Sequence, residues 1–240
     1  MKETVSYDEL SPDAFKQRIE QHPIGYLPLG TLEWHGAQNV LGADAIQARG
    51  LFIRTAEMYG GIVFPPLWVG PDRVCKEGEG KWLMGMDSHR MTQPNQQLPG
   101  SCYWVQKGLF LLLLESIVSQ AKRAGFRCLI ADGHGPSRKA WAEMVDIWEK
   151  QYDIILLSAI RDFEGTSWKT QMDHAGKNET SAMMALRPEL VHLDRLPVDR
   201  FEWPLGVMGE DPRDSSADFG ESLLASTVEA IGAKLHNLGL

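Results

Sequence analysis

The sequence has few cysteines, and the three it contains, Cys75, Cys102 and Cys128, are widely spaced with no Cys-x-x-Cys pair. That pattern excludes a disulfide scaffold and a thiolate metal site, and it fits a reducing compartment. Long apolar runs are also missing. The strongest, Leu109 to Leu114, is six residues between Lys107 and Glu115, far short of the ~20 that span a bilayer. Positive charge is in deficit, with 24 Lys and Arg against 32 Asp and Glu for a net charge of -8. This balance disfavours non-specific attachment to nucleic acid or an anionic membrane. No charge block, low-complexity run, internal repeat or linker interrupts the chain, and 43% hydrophobic with 23% charged residues is ordinary globular composition. The opening Met1-Lys2-Glu3-Thr4 reads as neither signal nor transit peptide, so a cytoplasmic location is expected. At 240 residues the chain is read as one domain, 1–240.

What is present is an alternation of apolar strands and amphipathic helices. Ser11-Pro12 opens a short helix that Pro23 ends, and Ile24 to Leu29 follows as a strand. Ala48, Phe52 and Ala56 mark a helix from Asp44 to Met58, with Gly60-Gly61 beyond it. Ile62 to Leu67 reads as a strand stopped at its prolines, and residues 68 to 100 as a long functional excursion with one short hairpin. A wide-faced helix over Tyr103 to Ala124 is expected to pack on a sheet and against another subunit. Phe126 to Ala131 and Tyr152 to Ile160 are further strands, separated by a helix carrying Trp141 and Trp148. Asn178 or Thr180 caps a short helix to Leu186, and Ala217 to Leu235 forms the last helix. The alternation predicts a three-layer α/β/α fold with a mostly parallel central sheet, whose ligand site lies beyond the strands' C-terminal ends.

Three polar turns open onto that rim, after Leu29, Ala131 and Ile160. The first carries Glu33 and His35, two apart so that both side chains leave one face of an extended segment, with Asp44 nearby at a helix start. The second carries His134 between glycines, and the third adds Asp173, His174 and Glu179. Carboxylate oxygen with imidazole nitrogen is the donor set of zinc, manganese and iron. Glu33, His35, Asp44 and His134 can supply two ions if Asp44 bridges them, ~3.5 to 4 Å apart. Glu179 would ligate directly or orient another ligand.

The segments Leu29-Gly30-Thr31-Leu32-Glu33-Trp34-His35-Gly36, Leu41-Gly42-Ala43-Asp44, Asp132-Gly133-His134-Gly135 and His174-Ala175-Gly176-Lys177-Asn178-Glu179-Thr180-Ser181 together resemble the creatininase family of amidohydrolases. Leu98-Pro99-Gly100-Ser101 resembles a further turn of that family. The resemblance implies a metal-dependent hydrolase with two divalent ions per chain, acting on a small polar cyclic or amide-containing molecule, in a homo-oligomer that is often a hexamer. By motif it implies Glu33, His35, Asp44 and His134 as metal ligands, Asp44 as the bridge and His174 as the catalytic histidine.

The chain departs from that pattern at Ala37-Gln38, at Val40, and at Pro136-Ser137. Creatininase has a ligating glutamate where this chain has Pro136, so a ligand of the second metal is missing; Glu179 is the candidate replacement. Creatinine is accordingly not the expected substrate. The alternatives are hydrolysis of a cyclic keto-inositol ring and a non-enzymatic metal- or metabolite-binding protein. Trp34, His89 and Trp168 are candidate substrate contacts, the tryptophans as flat surfaces for a polar ring; plain packing is the alternative for both tryptophans.

Overall fold

A computed structural model describes residues 4–240. Its centre is a four-stranded sheet ordered β2-β1-β5-β6, formed by β1 (Ile24–Leu29), β2 (Ile62–Val63), β5 (Cys128–Gly133) and β6 (Ile155–Ser158). Every pairing in it is parallel. A parallel sheet is stable with both faces covered, and every residue of β1 and β5 is buried.

Alternation along the strands distributes side chains to two cores. Tyr26, Cys128 and Ile130 meet Leu51 and Phe52 of α2 (Ala43–Tyr59) and Leu224, Val228 and Ile231 of α7 (Ala217–Asn237). On the opposite face Leu27, Leu29, Leu129 and Ala131 meet Phe110, Leu114 and Val118 of α3 (Lys107–Ala124) and Trp141, Val145 and Trp148 of α4 (Gly135–Tyr152). The three-layer α/β/α arrangement follows from this division. The Trp141 indole N–H donates to the Leu157 carbonyl at 2.9 Å, so this indole is buried without an unpaired donor.

Helix ends follow local chemistry. In α1 (Pro12–Gln21) Ser11 accepts from the Ala14 amide, and α3 stops at Gly125 in the left-handed conformation, φ +103°. α6 (Lys177–Leu186) differs from expectation: neither Asn178 nor Thr180 caps it, because Gly176 is the residue before its first turn. The capping acceptor is instead Asp173, whose carboxylate oxygens accept from the Asn178 and Glu179 amides at 2.8 and 3.1 Å.

Two strands are shorter than expected. β2 ends at Val63, and Leu67 retains one bridge to Leu29 because Pro65 and Pro66 cannot donate to a ladder. β6 ends at Ser158, where α5 (Ala159–Asp162) begins; the Asp162 carboxylate accepts from the Ser158 amide at 2.8 Å. The excursion does contain one hairpin, β3 (Val74–Glu77) with β4 (Lys81–Met84). The outer face of α3 stays uncovered in the single chain, leaving Leu109 and Leu112 exposed. Among the described residues no helix is long and apolar enough to cross a membrane.

β1 and β5 run in register from Ile24 opposite Cys128 to Leu29 opposite Gly133. The two strands therefore release their following loops at the same level, and the His134 amide returns to the Leu29 carbonyl at 2.9 Å. Gly133 is required here: its φ is +143°, and a β-carbon would collide with the Leu29 carbonyl.

Candidate metal centre and active site

Beyond this strand end, three groups of side chains bring ligand atoms within 4.8 Å of one another: Glu33, Asp44 and His134; His35, Asp44 and Glu179; and Glu33, His35 and His174. The first two share Asp44. Its helix holds it there, because Asp44 is the second residue of α2 and Gln171 donates from its side chain to the Asp44 carbonyl at 3.1 Å. The Glu33 amide donates to the Leu41 carbonyl, which closes the loop between the two carboxylates. The Ser101 hydroxyl accepts from the Trp34 amide at 3.0 Å, so the Leu98–Ser101 turn buttresses the same loop.

Ring orientation is set by the nitrogen facing away from the centre. His35 Nδ1 donates to the Glu33 carbonyl at 3.1 Å, which turns Nε2 toward Asp44 at 3.4 Å and Glu179 at 3.8 Å. His134 Nδ1 lies 2.9 Å from the Ser137 hydroxyl, and Nε2 faces Glu33 at 3.3 Å. His174 is bound differently. Its Nε2 donates to the Trp34 carbonyl at 2.8 Å, leaving Nδ1 toward the centre, 4.0 Å from Glu33, while its ring stacks on His35 at 4.6 Å. The loop bearing it is held by paired amide bonds with Met208 and contains two non-glycine residues in the left-handed region, Gln171 and Ala175, at φ +54°. Such backbone persists only where surrounding structure enforces it. Gln38 contributes, fully buried and donating to the Ala175 carbonyl at 2.7 Å.

Charge at the centre is unbalanced toward the negative. Burial would lower the His35 pKa, yet Asp44, Glu179 and Glu33 push it up to about 10. Against the same pull of burial, Glu33 and Asp72 push His134 up to about 10. Burial opposes ionisation of Glu33 and Asp44, but the neighbouring histidines hold both carboxyls below their usual range. Burial and the Asp44 charge raise Glu179 well above its usual value. Burial and the adjacent His35 lower His174, which favours its neutral form. Protons on His35 and His134 thus serve as the local counter-charge, a place that divalent cations can take.

The fit to metal is testable on partners. His35 Nε2, His134 Nε2 and Asp44 Oδ2 are all buried without a hydrogen-bond partner, and all belong to the clusters described above. Buried polar atoms are ordinarily satisfied, and imidazole nitrogens left unpaired among carboxylates suit a divalent ion that displaces their protons. The residues present fit the group.

A model of the creatininase (creatinine amidohydrolase) family matches residues 8–235. The chain belongs to the creatininase family. It is 24% identical to the creatinine amidohydrolase of Pseudomonas putida over 267 aligned positions, covering 96% of each protein. It is 25% identical to the 3-dehydro-scyllo-inosose hydrolase of Thermotoga maritima over 200 positions, which cover 78% of this chain and 58% of that protein. A crystal structure of creatininase shares the fold at a TM-score of 0.74, with 20% identity and 98% of each chain covered. The protein is a metal-dependent hydrolase of this family.

Placed on this creatininase-family fold, the six residues Glu33, His35, Asp44, His134, His174 and Glu179 converge as expected, and all but His174 are buried. All but His35 line a cavity of about 380 Å³ that also takes in His89, Asp72, Arg73, Arg138 and Asp173. The two tryptophans do not reach it. Trp34 extends to the Leu205 carbonyl, to which its indole N–H donates at 2.9 Å, and lines a separate depression with Arg90, Met91 and Trp203. Trp168 is a core residue packed on Phe163 at 4.8 Å between ring centres. For Trp34 the alternation that aims Glu33 and His35 inward aims the residue between them outward. Sequence reasoning missed Asp72, Arg73 and Arg138 as cavity residues. Arg138 had a legible signal: it lies one helical turn into α4, where its guanidinium reaches Asp132 at 3.3 Å and the Gln171 carbonyl at 2.9 Å.

Proposed function

We propose that this protein hydrolyses a small polar molecule containing a cyclic or amide carbonyl, using two divalent ions per chain. The observation that carries the reading is the pair of ligand clusters sharing one buried carboxylate, Asp44, at the floor of an open cavity. Glu33, Asp44 and His134 would hold one ion, and His35, Asp44 and Glu179 the other. When bound, such ions supply an acidified water and a Lewis acid for a carbonyl oxygen.

The chain's own groups then have distinct tasks. His174 presents an unprotonated Nδ1 toward the centre because Nε2–H is committed to the Trp34 carbonyl, so it takes up and delivers a proton at the leaving atom. Gln38 and Asp173 keep the His174 and Glu179 loops in place. His89 stands at the wall as a substrate contact. The cavity, near the low end of ligand-site volumes, suits a small ring more than a peptide.

Creatininase structures exist in manganese and in zinc-zinc forms, and one variant is complexed with creatine. Manganese or zinc is accordingly the leading metal here, and iron fits the same donors. The Thermotoga relative supports a second reading, in which the ring opened is a cyclic keto-inositol, over a smaller share of that protein. The reading also comprises one domain, a cytoplasmic location and a homo-oligomer, with hexamer as the expected size; exposed Leu109 and Leu112 support assembly. A panel of lactams, cyclic ureides, formamides and cyclic polyol ketones, assayed with Mn- and Zn-loaded protein, tests the function. Turnover confined to the ketones establishes the second reading, and no turnover across the panel refutes both.

A further inference from the structure

The floor of the cavity is carboxylate and imidazole, but its lining also holds two arginines that the metal clusters do not use, Arg73 and Arg138. Arg138 is a fixed guanidinium. Its amide donates to the His134 carbonyl at 2.9 Å, which sets it one turn of α4 beyond a candidate metal ligand. One terminal nitrogen donates to the Asp132 carboxylate at 3.3 Å and the other to the Gln171 carbonyl at 2.9 Å. Gln171 in turn donates from its side chain to the Asp44 carbonyl at 3.1 Å. Strand end, helix and loop thus hold the head group in a set place beside both ligand clusters. The ion pair is lopsided: the Asp132 side chain is fully buried, whereas that of Arg138 keeps 19% of its surface exposed and lines the cavity. The two bonds leave further N–H donors on the guanidinium without a protein acceptor.

Arg73 comes from the hairpin base, immediately before β3. It is exposed, its side chain donates only to the Gly85 carbonyl at 3.4 Å, and it enters no ion pair among the described residues. Burial lowers the pKa of His89, also on the lining, and the Arg73 and Arg90 charges lower it further. The first turn of α4 carries no acidic side chain, so the positive end of that helix adds to the same field. Five carboxylates on the lining outnumber the two arginines, and two divalent ions more than make up the difference. A loaded cavity is therefore open to an anion on its arginine side.

We propose that the substrate carries an anionic group, a carboxylate or a phosphate, and that Arg138 binds it while the carbonyl lies at the metal floor; Arg73 adds a donor from the hairpin base. The planar guanidinium matches either anion with paired N–H donors. The inference rests on the function proposed above and narrows its substrate class. One helical turn is ~5.4 Å, so the anion and the reacting carbonyl belong to one small molecule.

Three formamides of similar size test it: N-formylethanolamine, N-formylglycine and N-formylaminomethylphosphonate, titrated calorimetrically into zinc-loaded wild-type protein, Arg138→Met, Arg138→Lys and Arg73→Met. The ions attract the anions in every variant, so the quantity read is the ratio of anionic to neutral affinity. Wild-type protein is expected to favour an anionic member, and the preferred one distinguishes carboxylate from phosphate. Arg138→Met should lower the ratio about 10–100-fold, with bound zinc and affinity for the neutral compound unchanged. Arg138→Lys keeps a charge that can pair with Asp132 and should recover part of the loss; Arg73→Met should lower the ratio by a smaller factor. An unchanged ratio in both Arg138 variants, or an equal loss for neutral and anionic compounds, would overturn the role of Arg138. Wild-type protein that holds zinc but shows no preference for either anion would overturn the anionic substrate alone, and protein that holds no zinc would overturn the metal centre with it.

Discussion

Replacement of Asp173 by alanine separates the support of the metal site from the site itself. Asp173 touches neither histidine ligand; its two oxygens accept from the Asn178 and Glu179 amides at 2.8 and 3.1 Å and so cap α6. Loss of a helix-capping acceptor costs about 0.5–2 kcal/mol. For a chain of this length each kcal/mol lowers Tm by about 2–4 °C, so a fall of a few degrees is expected in the metal-free protein. The larger effect falls on function. Glu179 is the third residue of α6, and its Oε2 also accepts from the Ala175 amide at 2.7 Å, so its position depends on the same first turn. An orienting residue lost behind a ligand weakens metal binding about 10–100-fold, equivalent to about 1.4–2.8 kcal/mol. The ion at His35, Asp44 and Glu179 should weaken by that factor, and the ion at Glu33, Asp44 and His134 should not. An opposing effect is present: the Asp173 charge helps raise Glu179, so its removal favours the ionised ligand. Asp173→Asn sheds the charge but keeps one acceptor, and should therefore lose less affinity than alanine. Calorimetric metal titration, with differential scanning of the same samples, measures both quantities. An alanine variant with wild-type affinity for both ions would refute the argument that the cap positions Glu179.

Two further outcomes follow from the same geometry. His174→Ala should reduce kcat by about 10²–10⁴-fold on whichever panel substrate is turned over, with bound metal unchanged in elemental analysis; wild-type turnover would remove His174 from the reaction. In metal-free protein, His35 and His134 titrate at about 10 when folded against 6.5 when unfolded. A raised histidine pKa stabilises fully below the unfolded value and is lost as pH rises through the folded one. Glu179, raised as well, acts in the same direction, while the lowered Glu33 and Asp44 contribute steadily above their unfolded range. Stability of chelator-treated protein should therefore fall between pH 6.5 and about 10, and denaturant titrations showing a flat profile would contradict it.

Much of this protein was legible in its sequence because local chemistry and periodicity act over a few residues. The apolar runs at β1 and β5, the amphipathic helices between them, and the polar residues just past each strand end foretold a three-layer fold with its site on one rim. The Glu33-x-His35 spacing foretold two side chains on one side of the chain; the same alternation turns Trp34 out of the cavity, against its expected place as a substrate contact. Tertiary structure decided the rest. Register between β1 and β5 brings Leu29 level with Gly133 and so brings Glu33 to His134, about a hundred residues away in the chain. Whether a tryptophan is a wall or a core residue depends on what packs on it, and Phe163 and the surrounding core claim Trp168. Asp72 lay unread in a segment without periodicity, because only the folded hairpin base, closed by the Gly85 amide, carries its carboxylate to His134. Patterns within one element are written in adjacent side chains, whereas convergence of distant loops is set by strand register and by backbone packing against the ligands.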